Sequence, residues 1–225
     1  MTIDMSVTIL NFHGIGDSVS GVPEGERRYW CPTATWQLLA DRIVALREVG
    51  IPVAVTFDDG NVSDINHALP ILAERGLTAE FFACAGRIGH PGYLSASLLR
   101  DLRGAGMSIG SHGWSHVDLR RVDDAELLRE AESSRAALSE ASEGPVDDFA
   151  IPFGSYDRRV LRALRGYRRV YTSDGGRVRP GAWLQPRSSY VVGWTPETVS
   201  QLVAGRATPW QWLGRAAARG VKRIR

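Results

Sequence analysis

The feature that most restricts what this chain can fold into is an alternation repeated along most of it. A short apolar run is followed by a longer stretch with helical spacing, and then by another apolar run. Residues 7–12 read as a buried strand and 35–49 as an amphipathic helix. Strand-like 53–57 precedes helical 65–75, and strand-like 78–83 precedes helical 95–105. A short strand at 107–110, a polar helix-favouring segment at 123–141 and extended 148–152 follow. Helical 158–164, extended 168–172 and extended 183–185 continue the pattern. Apolar runs of this length, flanked by Gly and Pro, suit parallel strands covered by helices. The chain has no dinucleotide-type glycine fingerprint, so a (β/α) barrel is favoured over an open nucleotide-binding sheet. With no internal repeat or linker, residues 1–225 are expected to form one domain.

Composition narrows the class. Lys and Arg total 27 against 25 Asp and Glu, a net charge of +2, which argues against a nucleic-acid coat. No apolar stretch is long enough for a membrane-spanning helix. The opening segment MTIDMSVTILNFHG lacks the basic and apolar regions of a secretory signal, so a cytoplasmic location is expected. Cys31 and Cys84 have no CxxC spacing and are expected as reduced thiols. At the other end, residues 209–225 combine Trp210, Trp212 and Leu213 with a string of cations. They are expected to form a basic terminal helix. Its tryptophans either dock on the domain or, as a peripheral contact, meet an anionic membrane surface.

Three segments carry chemistry, each where an expected strand ends. In Thr56-Phe57-Asp58-Asp59-Gly60, adjacent carboxylates follow an apolar run, a costly placement unless a cation or protons share them. Neighbours on a strand point to opposite sides, yet a Gly-assisted turn lets both reach one cleft. In Ser111-His112-Gly113-Trp114-Ser115-His116, the two His face the same way if this stretch begins a helix, which is metal-ligand spacing. With the upstream Asp-Asp-Gly, the pair suggests a two-His-one-carboxylate site. The third segment, Pro152-Phe153-Gly154, makes a turn whose backbone N–H groups can meet an oxyanion.

In this order, the segments resemble the motifs of the NodB-homology polysaccharide deacetylase family, over about residues 7–194. The resemblance implies a distorted, incomplete (β/α) barrel with its site at the carboxyl ends of the strands. It implies Asp59, His112 and His116 as ligands of a divalent metal, usually zinc, Asp58 as catalytic base and the Phe153 N–H as oxyanion donor. The implied activity is metal-dependent removal of N-acetyl groups from an amino-sugar glycan or glycan precursor.

Two departures matter. The family Arg that pairs with the base is replaced by Ala150, and Arg187, after the expected strand at 183–185, is the candidate substitute. The family's late general-acid His is missing as well, because all five His lie at or before position 116. A circularly permuted subset carries that His at the front, and Ile9-Leu10-Asn11-Phe12-His13-Gly14 fits, with His13 as acid. Trp114 and Trp194 are either sugar-stacking platforms or core, while His67 and His90 are expected bystanders. Two other readings are a cyclic ureide or imide hydrolase of the same superfamily and a carbohydrate-binding relative without catalysis.

Overall fold

The computed structural model describes residues 6–16, 22 and 24–205; the expected helix at 209–225 lies outside them. In chain order the elements are β1 (Val7–Phe12), β2 (Gly14–Ile15), β3 (Trp30–Cys31), α1 (Thr33–Glu48) and β4 (Val53–Phe57). Then come α2 (Leu69–Glu74), β5 (Glu80–Ala83), α3 (Ala96–Gly104), β6 (Ser108–Ser111), α4 (Asp124–Leu128) and α5 (Ser134–Ser142). The last are β7 (Asp148–Ala150), α6 (Arg158–Ala163), β8 (Arg169–Thr172), β9 (Arg177–Val178), β10 (Leu184–Pro186), β11 (Ser188–Ser189) and α7 (Pro196–Val203).

The main sheet runs β10-β8-β7-β6-β5-β4-β1-β11, with every neighbour on this path parallel. β9 adds an antiparallel pairing to β1, and β2 and β3 form a separate ribbon. The two ends of the path, β10 and β11, are separated by one residue, Arg187. The same segment therefore pairs first with β8 and then with β1, nearly closing the sheet into the expected distorted barrel.

Strand alternation sorts the core into layers. Leu10, Phe12, Val53, Val55, Phe57 and Phe81 pack with Trp36, Leu39 and Ile43 of α1 on the helix side. Trp36, Leu39, Ala40, Ile43 and Leu46 recur at helical spacing, so α1 presents one buried stripe. Ile9, Phe82, Ala150 and Tyr171 form a separate buried cluster on the opposite strand faces, inside the barrel. Both cysteines are buried and free. Among the described residues, no helix is long and apolar enough to cross a membrane.

Two expected helices contain wider turns. Asp64–Ala68 winds as a π turn leading into α2, and Arg129–Ser133 does the same between α4 and α5. The expectation that His112 and His116 share a helix face is corrected. Residues 112–118 form no helix, and Gly113 (φ 81°) and His116 (φ 56°) both take left-handed backbone.

Candidate active site

The interior faces of the strands converge at their carboxyl ends. On β1 the interior series Ile9, Asn11 continues to His13, and on β4 the series Ala54, Thr56 continues to Asp58. Asp59 would ordinarily point away. Its left-handed backbone (φ 78°), followed by Gly60 (φ 69°), turns the chain and returns the second carboxylate to the same mouth.

Asp58 is buried and gripped. Arg187, fully buried at the barrel closure, donates from Nη1 to Oδ1 at 2.7 Å and from Nη2 to Oδ2 at 2.8 Å. Asn11 donates from Nδ2 to Asp58 Oδ2 at 3.0 Å, and its Oδ1 accepts from Thr56 Oγ1 (2.8 Å) and Arg187 Nη1 (2.9 Å). Burial by itself would raise the Asp58 carboxyl. The charges of Arg187 and His112 and the guanidinium hydrogen bonds outweigh it and hold the group well below the usual carboxylate range.

Beside this pair stand Asp59, His112 and His116, whose donor atoms all lie within 4.8 Å of one another. Asp59 Oδ1 is 3.2 Å from His116 Nε2 and 3.8 Å from His112 Nε2. His112 Nδ1 is 2.8 Å from the Ala150 carbonyl and donates to it, which turns Nε2 toward Asp58 and Asp59 in the site. Burial, then the neighbouring His112, lowers the His116 imidazole to about 4, which frees its ring nitrogen for a ligand role at ordinary pH. One carboxylate oxygen and two imidazole nitrogens suit a divalent transition ion with positions left open.

The turn that brings the two His together is held from behind by Glu130, which is fully buried. Its carboxylate accepts the backbone N–H groups of Trp114 (2.6 Å) and Ser115 (2.9 Å). At Gly113 a Cβ would stand 2.5 Å from Glu130 Oε2, so turn and clamp require glycine there. Asp64, on the π turn preceding α2, is also buried. Burial and the charges of Asp59 and Asp58 push its carboxyl well above the ordinary range.

An open cleft of about 760 Å³ covers these groups; His13, Asp58, Asp59, Arg87, Phe153 and Trp194 are among its lining residues. Phe153 has φ 58° and is 64% exposed, with its ring 4.6 Å from that of His116. Trp114 is not among the cleft-lining residues; it packs against the core, with Arg129 over its ring at 4.9 Å. His67 and His90 are exposed and outside the cleft lining.

The family model described as polysaccharide deacetylase matches residues 48–170, from the end of α1 to β8. The chain belongs to the polysaccharide deacetylase family. A chitin deacetylase from Pestalotiopsis sp. is 29% identical over 152 residues, covering 68% of this chain and 48% of that protein. The chain spans less than two thirds of the length of the curated relatives it matches. The crystal structure of a polysaccharide deacetylase from Bacillus cereus superposes with a TM-score of 0.78 at 21% identity, covering 90% of this chain and 70% of that one. A Streptococcus pyogenes deacetylase in complex with acetate gives 0.74 at 19% identity, covering 88% and 98%. These two likenesses establish the deacetylase fold.

Asn11 and Glu130 escaped the sequence reading of this deacetylase-family chain. A polar residue inside the apolar run Ile9–Phe12 was the available signal for Asn11. Glu130 lies among other acids in a polar segment, and nothing local distinguishes it.

Proposed function

We propose that this chain is a metal-dependent hydrolase that removes N-acetyl groups from an amino-sugar glycan or glycan precursor. The observation that carries the reading is an ionised, Arg-held carboxylate beside a two-His-one-carboxylate donor set in one open cleft: Asp58 Oδ2 lies 3.9 Å from His112 Nε2. A divalent ion held by Asp59, His112 and His116, zinc being the first candidate, would supply Lewis-acid polarisation of the amide and acidification of water.

The protein's own groups divide the remaining work. Asp58, kept ionised by Arg187 and oriented by Asn11, takes the proton of the attacking water. The Phe153 N–H is the donor assigned to the developing oxyanion. His13, across the same cleft, gives a proton to the departing amine nitrogen as the C–N bond breaks, leaving acetate and a free amino sugar. Trp194 and the exposed Phe153 ring offer apolar faces to the sugar.

Arg187 on Asp58 favours this reading over a carbohydrate-binding relative without catalysis, for which Ala150 is the sequence argument. Acetate release from N-acetylglucosamine oligomers by zinc-reconstituted protein, stopped by a chelator, is the expected result. Oligomer binding with no acetate from metal-replete protein would favour the binding protein instead.

A further inference from the structure

Arg87 is a cation whose position the hydrolysis of a neutral amide does not require. Its backbone is fixed to the turn that carries His112 and His116. Ala85 N donates to Gly113 O (3.0 Å), Gly86 N to Trp114 O (2.9 Å) and Arg87 N to Cys84 O (3.0 Å). A Cβ at Gly86 would stand 2.8 Å from Trp114 O, so the approach is closed to other residues. The guanidinium lies over the Tyr93 ring at 4.9 Å, and Tyr93 in turn pairs with Asn61, two residues after Asp59. Arg87, Tyr93 and Asn61 all line the cleft.

The fork is thus pre-oriented but poorly used. Of its five N–H groups, the hydrogen bond recorded among the described residues is one long contact, Nη1 to Asp59 Oδ1 at 3.5 Å. That oxygen is also the one nearest His112 and His116. A divalent cation taken up by that oxygen adds like charge beside the guanidinium, a repulsion relieved when a negative group joins them. Arg187 cannot serve that group, because its charge is already matched by Asp58.

We infer that Arg87 reads an acidic substituent, a carboxylate or a phosphate, on the glycan that enters the cleft. A planar guanidinium fork, here held over an aromatic ring, binds either group through two N–H donors. This inference rests on the deacetylase reading for the identity of the ligand as a glycan, and it makes the substrate an acidic one.

The test is calorimetric binding to zinc-loaded wild type, Arg87→Gln and Arg87→Lys, with acetate release measured in parallel. Three probes are compared: a neutral N-acetylglucosamine tetramer, a tetrasaccharide containing N-acetylmuramic acid, and an N-acetylglucosamine oligomer carrying a phosphate monoester. Wild type should bind an acidic probe more tightly than the neutral one, and the probe preferred tells carboxylate from phosphate. Arg87→Gln should weaken that probe about tenfold or more and the neutral one less than about twofold, with partial recovery in Arg87→Lys. Equal weakening of neutral and acidic probes, or no preference in wild type, would overturn the inference while leaving any acetate release intact. Charge-selective binding lost in Arg87→Gln, with no acetate from any probe, would instead retain Arg87 as an acid reader and overturn the deacetylase reading.

Discussion

Arg187 and Asp58 lie 129 positions apart, yet two parallel hydrogen bonds of 2.7 and 2.8 Å join them in the barrel interior. The pairing follows from topology. Arg187 is the residue at which one segment stops pairing with β8 and starts pairing with β1, so its side chain enters the barrel where the sheet closes. An arginine that the family resemblance expects near Ala150 is thus matched in space by Arg187, from the junction of β10 and β11.

Breaking this pair should be expensive. Arg187→Gln leaves a buried carboxylate without its counter-charge, a change that costs about 3–5 kcal/mol in comparable sites. Because the folded Asp58 carboxyl is lowered, its stabilisation is present above the ordinary Asp range near pH ~4 and is lost as pH falls through and below it. Urea unfolding of metal-stripped protein should therefore show a large wild-type advantage at pH 7 that shrinks in acid. An advantage equal at both pH values would contradict the assignment.

Glu130 should act through the turn it holds. Glu130→Ala removes the acceptor for the Trp114 and Ser115 N–H groups and loosens the His112–His116 geometry. Outer-shell losses of this kind weaken metal binding by about 10–100-fold. Competition with a chromogenic zinc chelator reads this directly, and wild-type affinity in the variant would show the clamp to be dispensable.

A different pH dependence is built into the opposite end of the barrel. Glu80, the first residue of β5, faces Asp148, Tyr171 and Arg168; burial, then the Asp148 charge, raises its carboxyl. An acid raised on folding binds its proton more tightly in the native state, so stability falls as pH climbs from the ordinary Glu value, ~4.3, toward the raised one. Glu80→Gln should flatten that decline and be relatively more stable at pH 8 than at pH 5. Thermal unfolding at the two values checks the sign.

Much of the site was legible because its residues sit at strand ends, where periodicity and motif coincide. The placement of Asp58 and His13 follows from the alternation of β4 and β1, and that of Asp59 and Phe153 from Gly-containing turns, while the roles expected of them came from the family resemblance. The His pair was legible as a pair but for the wrong local reason. Left-handed backbone at Gly113 and His116, stabilised by a distant buried glutamate, does what a helix was expected to do. Strands of two residues such as β9 and β11 are too short to show a period, so the closure that delivers Arg187 was invisible locally. The π turn at Arg129–Ser133 contains Glu130, which a regular polar helix pattern would leave exposed.

The proposed permuted arrangement rests on His13 as general acid. In that role, His13→Ala should reduce acetate release by about 10²–10⁴-fold with metal content unchanged, since His13 is not one of the three proposed metal ligands. Near-normal turnover would place the general acid elsewhere.

The central claim is that Asp58 is the base beside the metal set. The most direct measurement is steady-state acetate release by zinc-reconstituted Asp58→Asn, with its zinc content determined on the same sample. Wild-type zinc stoichiometry with turnover lowered about 10²–10⁴-fold is the expected result. Wild-type turnover at full zinc occupancy would contradict it.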